Sequence, residues 1–398
     1  MSAATLQTID KTSLQTILDL HADYKSGRAG GRLANLAYID LTEFKLEGVD
    51  LSDANLTGAR LYGASLRDSI FARANLFGVD LRNSDLRFAR LDRADMRGAC
   101  LRGANLTAAS LAGTDLREGQ IAFKDEKQGL RLLKHERRPG ELDYAILSGA
   151  DLSGARMTGT QAVATDFRDA NLSGAIMSNA RLRNANMDGA ILTGANLSNA
   201  DITGASLRGA ILVDTVLSGC DLKAADTTGA LVEPITVFID DEPLDDYLAL
   251  HEAWCRTGGA SGSRQTLPGL DFRLVRDLRR RELSTLDAEG AIFYGLDMEG
   301  IQLQGANLAS ADLRRCNLRG ADLRGARLIG ARLTHACLEG ANLGPLDLGG
   351  GRLMRCDLSR ANLTHADLSR ADLTRARLLE TEMDFVRDYG TNYTLVER

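Results

Sequence analysis

The feature that most constrains this chain is a spacing of five. From Leu36 onward every fifth residue is apolar: Leu36, Leu41, Leu46, Leu51, Leu56, Leu61, Leu66, Phe71, and so on to Leu116 and Ile121. After a one-residue shift of phase the series resumes from Leu147 to Leu222, with Ala162 as a weak centre. A third series runs from Phe293 to Met383, and every centre from Leu303 to Leu378 is Leu. A period of five matches neither the period of about 3.6 of a helix nor the period of about 2 of a long strand. With the apolar centre called i, position i−2 is usually Ala (Ala54, Ala59, Ala170, Ala175, Ala321, Ala326), i−1 is mostly Asp, Asn, Ser or Arg, and i+2 is often Gly. Positions i−2 and i therefore alternate with i−1 as in a very short strand, and i+1 and i+2 read as a turn. A strand of three residues cannot stand alone. The units must stack into coils whose backbone groups bond to the coils above and below, with Leu and Ala forming inward ladders.

Composition agrees with a narrow core. The chain of 398 residues has 40 Gly, 5 Pro, 1 Trp and 5% aromatic residues, too few large rings to fill a conventional interior. The phrases ANLTGARL, ADLRGARL, ANLTHADLSRADL and ANLSNADITGASL resemble the A(D/N)LXX consensus of the pentapeptide-repeat family. The resemblance implies an all-β solenoid, a right-handed quadrilateral β-helix with four units per coil. At a strand spacing of about 4.8 Å, about thirteen coils would stack to roughly 60 Å. Some members of that family resemble B-form DNA in width and negative charge and bind DNA gyrase, giving quinolone or toxin resistance.

The interruptions carry the rest of the organisation. Residues 11 to 25 place Leu14, Ile17, Leu18, His21 and Tyr24 on one helical face, and residues 243 to 257 repeat those offsets with Leu244, Tyr247, Leu248, His251 and Trp254. Thr12 and Gln15 have the spacing of a capping box. Each helix is expected to cap the exposed end of a solenoid and so prevent end-to-end association. The expected divisions are a capping helix and linker at 1–32, a first repeat block at 33–121, a charged insertion at 122–143 and a second block at 144–232. A helical linker follows at 233–288, then a third block at 289–387 and a tail at 388–398. The insertion AFKDEKQGLRLLKHERRPGELD reads as a loop or short helix projecting from the solenoid, a place for partner contact.

No catalytic, cofactor or metal constellation is expected. There is no G-x-G-x-x-G, P-loop, G-x-S-x-G or H-E-x-x-H, and the six cysteines have no paired ligand spacing. His251 and Cys255 stand at i and i+4, but further ligands are lacking nearby, and His21 and His251 are read as structural junction residues. The start MSAATLQTIDKTSL has no basic and apolar leader pattern, and no stretch reaches the length of a membrane span, so the expected location is cytoplasmic with no membrane partner.

Charge narrows the partner. A net charge of −6, from 54 acidic and 48 basic residues, leaves no footprint of direct nucleic-acid binding. If positions twenty apart share a face, the third block collects Arg314, Arg315, Arg332, His335, Arg352, Arg355 and Arg375 against Asp312 and Asp372. That face is the candidate surface for an acidic partner. The second block places Ile191, Ile211, Val213 and Leu231 outward as an apolar stripe, expected to be covered by the segment 235 to 287 or by another copy of the chain, which allows a homodimer. The reading that follows is a non-enzymatic rigid scaffold with a protein partner. The alternative is a DNA mimic acting on gyrase, which requires strongly negative faces that are not found.

Overall fold

The computed structural model describes residues 6–125 and 129–398. The chain divides into two compact units, Met1–Glu233 and Pro234–Arg398. Each begins with a helix and continues as a wall of five-residue steps; α1 spans Lys11–Lys25 and α2 spans Leu244–Arg256.

One step explains the wall. The Leu51 carbonyl accepts from the Ala54 N–H at 3.1 Å, closing a turn, and Asp53, two after the Leu, has φ of 65°. A positive φ at that place defines a type II turn. Gly supplies it at no steric cost, while Asp, Asn and Arg hold it elsewhere. The other backbone groups reach along the axis. The Leu36 N–H donates to the Asn55 carbonyl at 2.7 Å, and the Asn55 N–H donates to the Ala34 carbonyl at 3.0 Å. Parallel bridges then repeat every twenty residues, Asn35 to Asn55 to Asn75 to Asp95 to Asp115, so four steps close one coil. The result is a right-handed quadrilateral β-helix. Its inward Leu and Ala are dry: Leu56, Ala64, Leu323 and Ala326 are all fully buried.

The Asp or Asn at i−1 has a structural task. Its side chain accepts from the backbone N–H two residues on, as Asp50 does from Ser52 at 2.8 Å and Asp357 does from Ser359 at 3.0 Å. This Asx turn satisfies the corner N–H that the short strand leaves unpaired. Corners also fit one another along the axis. A Cβ built on Gly103 would lie 2.5 Å from Asn83 Oδ1, so the glycine makes room for the side chain one coil before it.

Two expelled hairpins and one broken step correct the sequence reading. In the first unit the bridge from Cys100 reaches Glu141, and the excess leaves the wall as an antiparallel hairpin of strands Gly119–Asp125 and Gly129–Arg138, not the expected loop or short helix. Residues 126–128 of that insertion lie outside the described residues, and Ile121 belongs to a hairpin strand and not to a repeat unit. The wall continues across it, with Asn105 bridging Ile146 and Asp115 bridging Arg156. Leu222 starts a short 3-10 turn and is 40% exposed, so the expected inward centre fails there.

In the second unit Arg327 bridges Asp357, thirty residues on. The excess ten form a small hairpin that pairs Leu346–Asp347 with Leu353–Met354. Leu348 and Leu353, expected in an unbroken inward series, are 49% and 42% exposed. The hairpin folds back over two corner glycines, since a Cβ on Gly325 would meet the Leu346 Cβ at 2.8 Å and one on Gly305 would meet the Met354 Cε at 3.4 Å.

Candidate interaction faces

Surface charge is arranged by a local rule. Where Arg follows the apolar centre and Asp precedes it, the two side chains bracket the corner. Arg324 donates from Nε to Asp322 Oδ1 at 2.9 Å and from Nη2 to Oδ2 at 2.7 Å, while Asp322 Oδ1 also accepts from the Arg324 N–H. The same bracket joins Asp80 to Arg82, Asp95 to Arg97, Asp115 to Arg117, Asp166 to Arg168 and Asp271 to Arg273. Pairs one coil apart do similar work, as in Arg73 with Asp53 at 2.7 Å and Arg387 with Asp367 at 3.1 Å. Exposed pairs of this kind each stabilise by at most about 1 kcal/mol. Their larger effect is to set opposite charges against each other locally along the corners.

The expected Arg face does not assemble as one column. Arg314, Arg315, Arg332 and His335 share a corner region, because Asp312 bridges Arg332 and Arg332 bridges Asn362. Arg314 is 4% exposed, holds Asp312 at 2.7 Å and lies over the Tyr294 ring; Arg332 holds the same Asp312 at 3.1 Å. Burial lowers the pKa of Arg332, and Asp312 opposes that shift. The remaining three lie elsewhere. Arg352 is in the hairpin, Arg355 pairs with Glu397 at 2.9 Å, and Arg375 follows Leu373 in the column of Asn342 and Asp372. The column of His335 continues instead into His365 and Phe385, whose rings stack at 4.8 and 4.9 Å. The ten expelled residues cause the difference by moving every later residue half a coil.

The apolar stripe does form a column, with Ile191 bridging Ile211 and Ile211 bridging Leu231. These three are 4%, 0% and 6% exposed and Val213 is half-buried, so the stripe is not an open face.

The two junction histidines behave alike. The Ala34 N–H donates to His21 Nδ1 at 3.1 Å, and the Gln265 N–H donates to His251 Nδ1 at 2.8 Å. His251 Nε2 donates to the Ser284 carbonyl at 3.0 Å, and the Cys255 thiol reaches that carbonyl at 3.4 Å. The pair that might have suggested metal ligation is thus turned onto one backbone oxygen. Among the described residues no three of His, Cys, Asp or Glu converge as metal ligands. The α1 cap also differs from the expected box: Asp10 is the N-cap and accepts from the Ser13 N–H at 2.9 Å. Among the described residues no helix is long and apolar enough to cross a membrane.

Coils of four five-residue steps with inward Leu and Ala define a quadrilateral solenoid. The profile of the pentapeptide repeats matches residues 34–73, 69–107, 99–118, 165–204, 200–230, 306–344 and 351–385, more than half of the sequence, and the chain belongs to that family. Among solved structures it is similar to QnrB1, a plasmid-mediated fluoroquinolone resistance protein, at 17% identity over 48% of this chain and 89% of that one, with a TM-score of 0.31. It is similar to HetL, involved in heterocyst differentiation regulation in Nostoc sp. strain PCC 7120, at 21% identity over 98% and 94% of the two chains, with a TM-score of 0.19. Rfr23 from Cyanothece 51142 shows 27% identity over 36% and 91%, with a TM-score of 0.23. No curated protein matches.

Proposed function

We propose that the chain is a non-enzymatic scaffold that binds a protein partner through elements standing out from its solenoid walls. The observation that carries this reading is the bracketing of charge. With Arg and Asp closed on each other at corner after corner, the walls present little net field of either sign, so a partner is recognised by shape and local contacts at the projections. The hairpin at 346–354 is such a projection, with Leu348, Arg352 and Leu353 exposed on a turn of Gly349, Gly350 and Gly351. The insertion at 119–138 is another.

Excision tests this cleanly, because both insertions leave the wall in register. Removing residues 345–354 reduces the step from Arg327 to Asp357 to the ordinary twenty, and removing 119–139 does the same for Cys100 to Glu141. The expected outcome is unchanged melting and loss of partner capture from lysate of the native host, read by cross-linking and mass spectrometry. Full capture by the double deletion would overturn the assignment. A phosphate mimic directed at gyrase needs a continuous negative face. Purified chain is therefore expected to leave gyrase supercoiling unaffected, and potent inhibition would replace this reading with the mimic.

A further inference from the structure

Both helices are fastened to their solenoids through the Nδ1 of a buried histidine, and His251 is also held through Nε2. His21 and His251 are each 0% exposed. Each Nδ1 accepts a backbone N–H where the chain enters its first coil, at Ala34 and Gln265. An amide N–H can only donate, so Nδ1 must be bare and the proton of the neutral ring must sit on Nε2. His251 Nε2 accordingly donates to the Ser284 carbonyl. The Ser52 backbone holds the equivalent place beside His21, whose buried Nε2 falls short of a hydrogen bond.

We propose that α1 and α2 are acid-released caps: a proton arriving on Nδ1 of His21 or His251 sets two donors against each other and detaches the helix from the solenoid end it covers. Detachment bares the first coil, including Leu36 and Leu41 in the first unit and Leu267 and Phe272 in the second, all buried while the caps are in place. Freshly exposed apolar ladder and backbone then favour association with a second copy.

The surroundings make the two caps unequal. Around His21, Lys25 on its own helix disfavours the cation, whereas Asp50 and Asp53 on the wall favour it; Lys25 is itself paired with Asp53 at 2.9 Å. Around His251, Arg264 of the linker disfavours the cation, and no carboxylate offsets it directly, because Glu252 and Glu282 are engaged by Arg256 at 2.8 and 3.4 Å. Burial, the largest influence at both sites, lowers both pKa values below the ordinary histidine value. A released histidine titrates near about 6.5, so both caps are fully seated above that pH and loosen as the pH falls below it.

Trp254 is the sole tryptophan and lies 5.8 Å from the His251 ring, so its emission reports α2 in the intact chain. Lowering the pH from about 7.5 to about 4.5, a range in which ordinary carboxylates stay largely ionised, is expected to give a rise in light scattering as apolar ladder is bared and a red shift of Trp254 emission as α2 leaves. H251N keeps an acceptor oxygen near the Nδ1 position and does not titrate, so it should abolish the emission step. H21N should reduce the rise in scattering and leave the emission step in place. An acid response unchanged in the double variant would overturn the proposal. Nitrogen NMR of the unaltered chain at neutral pH supplies a test that does not depend on the variants folding. Protons on Nε2 and titration below about 6.5 are expected for the two buried histidines, and a proton on Nδ1 at neutral pH, or titration at or above that value, would overturn it.

Discussion

Asp322 shows what the residue before each Leu does. Its Oδ1 accepts from the Arg324 N–H, and both carboxylate oxygens receive the Arg324 guanidinium. Asp322→Asn keeps the turn acceptor and loses the charge, so it should cost little in a urea melt. Asp322→Ala leaves a corner N–H unmatched and should cost about 1 kcal/mol. Inward positions carry far more. Leu323 is fully buried, and Leu323→Asp should abolish folding of its unit, whereas Leu348→Asp, at a residue 49% exposed, should leave the melting temperature unchanged. Equal effects of the two aspartates would put Leu348 back in the wall. At the corners, Gly103→Ala meets both a φ of 67° and Asn83 Oδ1 at 2.5 Å; N83G added to it should recover the clash part of the loss but not the backbone part, seen as partial recovery of the melting temperature.

Elements were legible where their signal was periodic and illegible where the chain kept the beat without keeping the structure. Leu348 and Leu353 fall on the five-residue count after Leu343, yet the wall ends its coil at Gly344. The signal was Pro345. It stands two residues after a centre, where most units need a positive φ, and a proline ring fixes φ near about −65°. Gly349, Gly350 and Gly351 then mark the turn of the hairpin. The helices were legible because their apolar offsets repeat, but the N-cap was misplaced by two residues, since Asp10 and Ser13 make the contact that Thr12 and Gln15 seemed to offer. The Arg face was lost for the hairpin's reason: a face is read by counting, and one uncounted insertion moves everything after it. The hairpin's seat gives a prediction of its own. Gly325→Val places bulk against Leu346 and Met354, so the hairpin should lift and trypsin should cut faster at exposed Arg352, as read by mass spectrometry of a limited digest.

At the scale of the molecule the two units carry separate apolar cores, one running from Leu14 to Leu212 and the other from Leu244 to Leu378. Expressed apart, 1–233 and 234–398 should each give the circular-dichroism spectrum of a folded solenoid. Acid should weaken both. Arg73 and then Lys25 bring Asp53 down to about 2, and Thr228 followed by Arg208 brings Asp226 to about 2. In the second unit Arg279 brings Asp277 to about 2. A lowered carboxylate pKa contributes stability that is complete above about pH 4 and fades as the pH falls toward 2. Urea midpoints should therefore drop over that range, below the window in which the histidines titrate.

A wall that closes every twenty residues works as a clock face, on which five residues are a quarter turn and ten a half turn. The ten residues after Gly344 leave the dial as a hairpin, and Asp357 takes the bearing of Arg327 one coil on. Had they been kept on the dial, the azimuth of every later side chain would differ by about 180°, with Arg375 brought round to the bearing of His335 and His365 carried to the opposite side. The hairpin is thus an angular setting for the last coils as well as a projection. Lengthening or shortening it at the Gly349–Gly351 turn leaves that setting alone, whereas a five-residue insertion retained in the wall would swing every later side chain through a right angle.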